Sequence, residues 1–183
     1  MGIGAVKAVF LDRDGVLNEA VVREGRPYPP AGLEDLKLVP DASEALGRLK
    51  AAGFLLLVVT NQPDVAKGTQ SRDVVEAINA ALRAALPIDD VLVCWHADRD
   101  ACSCRKPKPG LLLDAASRYG IDLAASFMVG DRWRDIDAGA AAGCRTVLIE
   151  RDYRERAPAA EPDFRAISLA SAANWMIANA LIH

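Results

Sequence analysis

The stretch that most constrains this chain is Phe10-Leu11-Asp12-Arg13-Asp14-Gly15-Val16-Leu17-Asn18. The segment before it, Ala5 to Leu11, is apolar except for Lys7. Its length and its β-branched and aromatic content suit a buried strand better than a helix. The strand runs into two carboxylates two residues apart, then a glycine. With a side-chain period of two, Asp12 and Asp14 point the same way just past the strand end. In an open parallel α/β sheet that edge is where ligands bind. Two like charges held there repel unless a cation, a proton or a phosphoryl acceptor joins them. A strand that simply ends in a solvated Asp-Gly turn is the other reading of the same residues.

The rest of the chain supplies more strand ends. Residues 18–38 have no clear period and carry Gly25, Pro27, Pro29, Pro30 and Gly32, which predicts a loop or flap beside Asp12. Asp41 stands as an N-cap with Glu44 three residues on; Ala45, Leu46 and Leu49 make the apolar face and Gly53 the stop. Phe54 to Val59 is a second buried strand, ending in Thr60-Asn61-Gln62. Ser71 caps a helix with Val74, Val75, Ile78, Leu82 and Ala85 on one face. Val91 to Val93 is a short strand leading into an irregular stretch, 94–109, with three of the four cysteines. Gly110 to Tyr119 is a helix closed by Gly120, and Ser126 to Val129 a strand ending in Gly130-Asp131. Ile136 to Ala142 is a helix stopped by Gly143, and Arg145 to Ile149 the next strand. Arg151 to Pro162 reads as a polar surface connection. Leu169, Ala173, Met176, Ile177 and Ala180 are spaced for a docked helix. Strands alternating with helices predict a doubly wound, Rossmann-like parallel sheet. Right-handed crossovers put the C-terminal ends of parallel strands on one edge, so Asp12/Asp14, Thr60/Asn61 and Asp131 converge there.

Composition narrows the function classes. A chain of 183 residues suits one domain that buries roughly 70% of its unfolded surface. Net charge −3 gives no basic footprint for nucleic acid. No apolar run is long enough to span a membrane and the N-terminus has no signal-peptide pattern, which points to a cytoplasmic protein, expected as a monomer. In that reducing compartment four cysteines read as metal ligands or free thiols.

With Lys106 added, the chain resembles the haloacid dehalogenase superfamily of phosphohydrolases over nearly its whole length. Phe10-Leu11-Asp12-Arg13-Asp14-Gly15 looks like the first motif and Val59-Thr60-Asn61-Gln62 the second. Lys106 looks like the third, and Val129-Gly130-Asp131 with Asp135 the fourth. Cys94-Trp95-His96 followed by Cys102-Ser103-Cys104-Arg105-Lys106-Pro107 is similar to the subgroup of heptose 1,7-bisphosphate phosphatases and histidinol-phosphate phosphatases. The resemblance implies that Asp12 is the nucleophile and Asp14 the general acid and base. It implies Mg2+ on Asp12, the Asp14 carbonyl and Asp131, with Thr60 and Lys106 on the phosphoryl oxygens and Asn61 in the substrate pocket.

Cys94, His96, Cys102 and Cys104 form a three-cysteine, one-histidine set able to close a tetrahedral, structural Zn2+ site. A buried thiol pair or scattered free cysteines are the alternatives. Cys144 reads as an inert buried thiol. The spacing between motifs leaves no room for an inserted cap, so selection falls to the flap, Arg105 and Arg132. The flap, Val21 to Tyr28, is longer than and spelled unlike the short glycine-tyrosine flap usual in the heptose enzymes, so the resemblance assigns no role to any flap residue. Pro107-Lys108-Pro109-Gly110 leans toward the heptose branch, so the expected substrate is a small phosphorylated metabolite, a heptose bisphosphate. Histidinol phosphate is the first alternative and a polynucleotide 3′-phosphate a weaker one. A catalytically silent zinc module that binds phosphometabolites or a partner protein is the rival class.

Overall fold

The computed structural model describes residues 6–180; Ala5 of the first predicted strand lies outside them. The segment before Asp12 forms strand β1 (Ala8–Leu11), buried at all four positions. In the flap, β2 (Val21–Arg23) and β3 (Arg26–Tyr28) pair as an antiparallel hairpin. Its two-residue turn, Glu24-Gly25, has positive φ at both positions, the twist that a tight hairpin requires. Then come α1 (Ala42–Ala51), β4 (Leu55–Asn61), α2 (Pro63–Lys67), α3 (Arg72–Ala85) and β5 (Asp90–Cys94). The second half adds α4 (Gly110–Tyr119), β6 (Phe127–Gly130), α5 (Trp133–Ala142), β7 (Arg145–Ile149), β8 (Phe164–Ala166) and α6 (Leu169–Asn179).

The main sheet has six strands in the order β5-β4-β1-β6-β7-β8, all parallel. The chain moves outward from β1 through β4 to β5. It then returns to the other side of β1 and moves outward again through β6, β7 and β8. Strand β1 is therefore the switch point, and the crevice beyond its carboxyl end is the expected ligand site. Alternate residues feed two cores. Val9, Leu11, Leu56, Val58, Phe127 and Val129 pack with α1, α3 and α6. Ala8, Phe10, Leu57, Val59 and Met128 pack with Leu111, Leu112 and Ala115 of α4 and Ala142 of α5. This is the two-faced burial that a doubly wound sheet demands. Between β1 and β4 lie the hairpin and α1, and between β4 and β5 lie α2 and α3; no cap domain is inserted among the described residues. None of the described helices is long and apolar enough to cross a membrane.

Several expectations need correction. Strand β4 runs on through Thr60 and Asn61, which pair with Val93 and Cys94, so these polar residues sit on the sheet itself. Ala85 is exposed, and Asn79 is the buried polar residue on α3. The connection 151–162 is no mere surface loop, since Arg151, Tyr153 and Glu155 all bond into the sheet edge. The short edge strand β8 after it was not foreseen. Ser71 caps α3 as expected, accepting from the Val74 N–H. Asp41 makes no side-chain bond to α1. Instead its Oδ2 accepts the Ala170 N–H at 2.6 Å, in the first turn of α6.

Asp41 thus caps a helix 129 residues away and ties the last helix to the first. Asp41→Ala is expected to lower unfolding free energy by about 0.5–2 kcal/mol, the worth of an N-cap. Hydrogen exchange should show the loss in the first turn of α6; faster exchange in α1 with α6 unchanged would contradict the assignment.

Candidate active site

Lys106 is the centre of the sheet edge. Only 1% of it is exposed. Its Nζ donates to Asp12 Oδ1 at 2.8 Å, to Asp135 Oδ1 at 2.7 Å and to the Val59 carbonyl at 2.7 Å. An ammonium has three N–H donors, and all three are used. The residue lies on an irregular loop, yet its backbone is pinned to β4. The Lys106 N–H donates to Asn61 Oδ1, and Asn61 Nδ2 donates back to the Lys106 carbonyl. Burial opposes the lysine's charge, but the two carboxylates outweigh it and hold the ammonium above its ordinary range.

Asp12, Asp131 and Asp135 form a buried triad with one oxygen from each within 4.8 Å of the others. Burial, then Asp135, push the Asp12 carboxyl up to about 6, against the pull of Lys106. Burial, then Asp12 and Asp135, push Asp131 well above the usual carboxylate range. Such a cluster is costly unless a cation joins it. Asp135 has both oxygens engaged, Oδ1 by Lys106 and Oδ2 by the Arg132 N–H. Asp131 Oδ2 accepts the Tyr153 hydroxyl at 2.7 Å, while Asp131 Oδ1 is buried with no partner. That orphan oxygen, beside Asp12, fits a hard divalent cation.

Asp14 is held differently. Arg13, fully buried, lays a two-bond fork on it: Nε to Oδ1 at 3.1 Å and an Nη2 bond to Oδ2 at 3.0 Å. Asn18 and Gln62 each add a side-chain N–H at 3.0 Å. Arg13 is braced from behind by Asn79 of α3 at 2.9 Å. The sequence reading did not single out Arg13, Asn18, Gln62 or Asn79. The one available signal was an arginine standing between Asp12 and Asp14. Thr60 Oγ1 accepts from Gln62 and lines the same pocket.

The pocket has a volume of about 360 Å³ and is lined in part by β3 of the hairpin. Asp12, Asp14, Thr60, Asn61 and Lys106 form its floor, and Arg26 and Tyr28 of β3 reach its mouth. Arg105 and Arg132 line it as expected, but each is already paired. Arg105 bonds Asp98 at 2.8 Å, and Arg132 is paired with Glu155. Arg26 has no acidic partner among the described residues.

Cys94, His96, Cys102 and Cys104 meet at one point. Cys104 Sγ lies 3.1 Å from Cys94 Sγ, 3.5 Å from Cys102 Sγ and 3.3 Å from His96 Nδ1. Tetrahedral zinc–sulfur bonds would space sulfurs about 3.8 Å apart, close to this arrangement. The set could hold zinc. Cys144 lies apart and buried, and burial pushes its thiol up to about 12.

The HAD-hyrolase-like family model matches residues 103–172. The chain is 35% identical to the D-glycero-D-manno-heptose-1,7-bisphosphate 7-phosphatase of Thermosynechococcus vestitus, covering 92% of this chain and 94% of the relative. It is 33% identical to the D-glycero-beta-D-manno-heptose-1,7-bisphosphate 7-phosphatase of Escherichia coli K12, over 94% of this chain and 89% of that one. The D,D-heptose 1,7-bisphosphate phosphatase of B. bronchiseptica, crystallised with magnesium and phosphate, superposes with a TM-score of 0.80 at 30% identity, covering 95% of this chain and 99% of that one. The chain belongs to the haloacid dehalogenase-like hydrolases, in the branch that holds the heptose bisphosphate phosphatases.

In metal-free protein the Asp12 carboxyl should titrate near 6 by carbon NMR. Because the folded value lies above the unfolded one, Asp12 by itself withdraws stability as pH rises from about 4 to about 6. Lys106→Met should move it higher, since the neighbouring cation is lost. A value of about 4 in the parent would contradict the buried-triad electrostatics.

Proposed function

We propose that the chain is a Mg2+-dependent phosphomonoesterase that carries the phosphoryl group on Asp12 and removes the 7-phosphate of a heptose 1,7-bisphosphate. The observation that carries this reading is the contact of Lys106 with Asp12 at 2.8 Å, on the floor of an uncapped pocket. Relatives 33–36% identical over most of the chain, named as heptose bisphosphate 7-phosphatases, support the substrate.

In the first half-reaction an Asp12 oxygen attacks phosphorus and the bond to the leaving alkoxide breaks. Asp14 gives that alkoxide a proton. In the second, water attacks phosphorus, Asp14 takes its proton, and inorganic phosphate leaves Asp12 as a free carboxylate. Asp14 accepts four N–H bonds in this structure, an arrangement suited to the base half of the cycle. The acid half requires it to release a neutral donor, Asn18 or Gln62. Thr60, whose oxygen already accepts from Gln62, keeps its hydroxyl proton for a phosphoryl oxygen. Lys106 offsets charge developing on the transferred group. Asp12 and Asp131 would hold a divalent cation, which would supply the positive charge that a phosphate dianion needs to approach these carboxylates.

The four-ligand cluster would hold structural Zn2+, with no position left for water. Its task is positional, because Arg105 and Lys106 follow Cys104 directly. Metal analysis should find about one zinc per chain, and Cys104→Ser should lower turnover roughly a hundredfold by misplacing Lys106. Carefully reduced protein that contains no zinc would overturn this assignment.

Selectivity falls to the pocket mouth. Arg26 is without an acidic partner among the described residues, and Arg105 becomes available once it lets go of Asp98. A second anionic group on the substrate answers these charges better than the imidazole and ammonium of histidinol phosphate. In a phosphate-release screen with Mg2+, a heptose bisphosphate should exceed its monophosphate and histidinol phosphate by at least about tenfold in kcat/KM. Arg26→Ala should remove most of that preference. An equal or higher kcat/KM for histidinol phosphate would overturn the assignment.

A further inference from the structure

Residues 151–156 make a strap that no expected role explains. The Arg151 guanidinium grips the Gly15 carbonyl with bonds of 3.0 and 3.3 Å, on the turn just after Asp14. The Arg154 N–H donates to the Gly25 carbonyl at 2.8 Å, in the turn of the hairpin. Tyr153 lies between these two anchors, and its hydroxyl donates to Asp131 Oδ2 at 2.7 Å. The contact is backed from the opposite side. Gly15 has φ +87°, and a Cβ placed there would come within 1.8 Å of Asp131 Oδ2 and 2.9 Å of the Tyr153 oxygen. The Asp12–Gly15 turn therefore passes so close to the Tyr153–Asp131 bond that only glycine leaves room for both partners. A tyrosine aimed at a buried carboxylate through two separate tethers is more than packing. It engages one oxygen of Asp131 and leaves the other, Oδ1, buried without a partner.

We propose that Tyr153 is a positioning residue for the cation site: by occupying Asp131 Oδ2 it fixes the carboxylate rotamer and reserves Oδ1 for the divalent cation. This rests on the reading of Asp131 as a ligand. Groups that orient metal ligands typically contribute 10–100-fold in metal affinity. The strap also joins the hairpin to the cation site, so the flap that meets the substrate and the carboxylate that meets the metal share one tether.

The test is Mg2+ binding to the zinc-loaded full chain without substrate, measured by calorimetry, alongside the metal-free melting temperature. Tyr153→Phe keeps the ring and removes one oxygen. It is expected to raise the Mg2+ dissociation constant roughly tenfold or more. A tyrosine with a purely structural role would lower the metal-free melting temperature and leave Mg2+ affinity within about twofold of the parent; that result overturns the proposal. Asp131→Asn is the control. If it binds Mg2+ as tightly as the parent, Asp131 is no ligand and the proposal falls with that reading. If it loses binding while Tyr153→Phe does not, the proposal alone falls. Should Tyr153→Phe fail to fold, Arg151→Gln releases the same strap and carries the same test, with an expected weakening of about threefold and an unchanged affinity overturning it.

Discussion

A buried ammonium bridging two buried carboxylates is the interaction on which the rest of this structure depends. Desolvating these ions costs several kcal/mol apiece, and only a geometry that satisfies every donor offsets the cost. Lys106 meets that condition with three bonds, to Asp12, Asp135 and the Val59 carbonyl. These acceptors come from three different parts of the sheet edge: the loop after β1, the helix after β6, and β4 itself. The lysine is thus both the electrostatic keystone and the geometric one. The sheet supplies the edge, Asn61 clamps the lysine backbone to it, and the cysteine-histidine cluster ends two residues before the lysine. Local sequence alone would leave such a loop free to wander.

The chemistry the site can perform follows from how unevenly its carboxylates are treated. Asp12 faces one cation and two acidic neighbours in a dry setting, and Asp131 keeps an orphan oxygen. Asp14, two residues from Asp12, sits in a cradle of four N–H donors braced by a fully buried arginine. Two carboxylates in such different surroundings suit different roles, one as attacking group and one as proton carrier.

Much of this was legible in the sequence wherever a strand ran into polar residues. The ends at Asp12, Thr60 and Asp131 do converge, because parallel topology forces them to one edge. The four zinc-type ligands meet because His96 and the three cysteines fall in one short stretch. Contacts set by packing over long separations were less visible. Asp41 looks like the cap of the helix it precedes, yet the capped N–H lies in α6, where the docking of the first and last helices brings it. Arg13 shows in the sequence only as a charge between two aspartates, and only the approach of α3 gives it Asn79. The polar run 151–156 has the composition of a loop, and composition cannot show that Tyr153 reaches Asp131. Arg105 and Arg132 both line the pocket, but their partners Asp98 and Glu155 follow from the fold.

The central claim is that the buried carboxylate beside Lys106 accepts the phosphoryl group. Its most direct test is to quench the enzyme with acid during turnover and reduce it with borohydride, which converts an acyl phosphate of aspartate into homoserine. Peptide mass spectrometry then locates the modified residue. This account predicts homoserine at position 12, absent when substrate is omitted and more abundant in Asp14→Asn, where release of the phosphoryl group loses its base. Turnover with no modification at Asp12 in either protein, or modification at a different carboxylate, would contradict it.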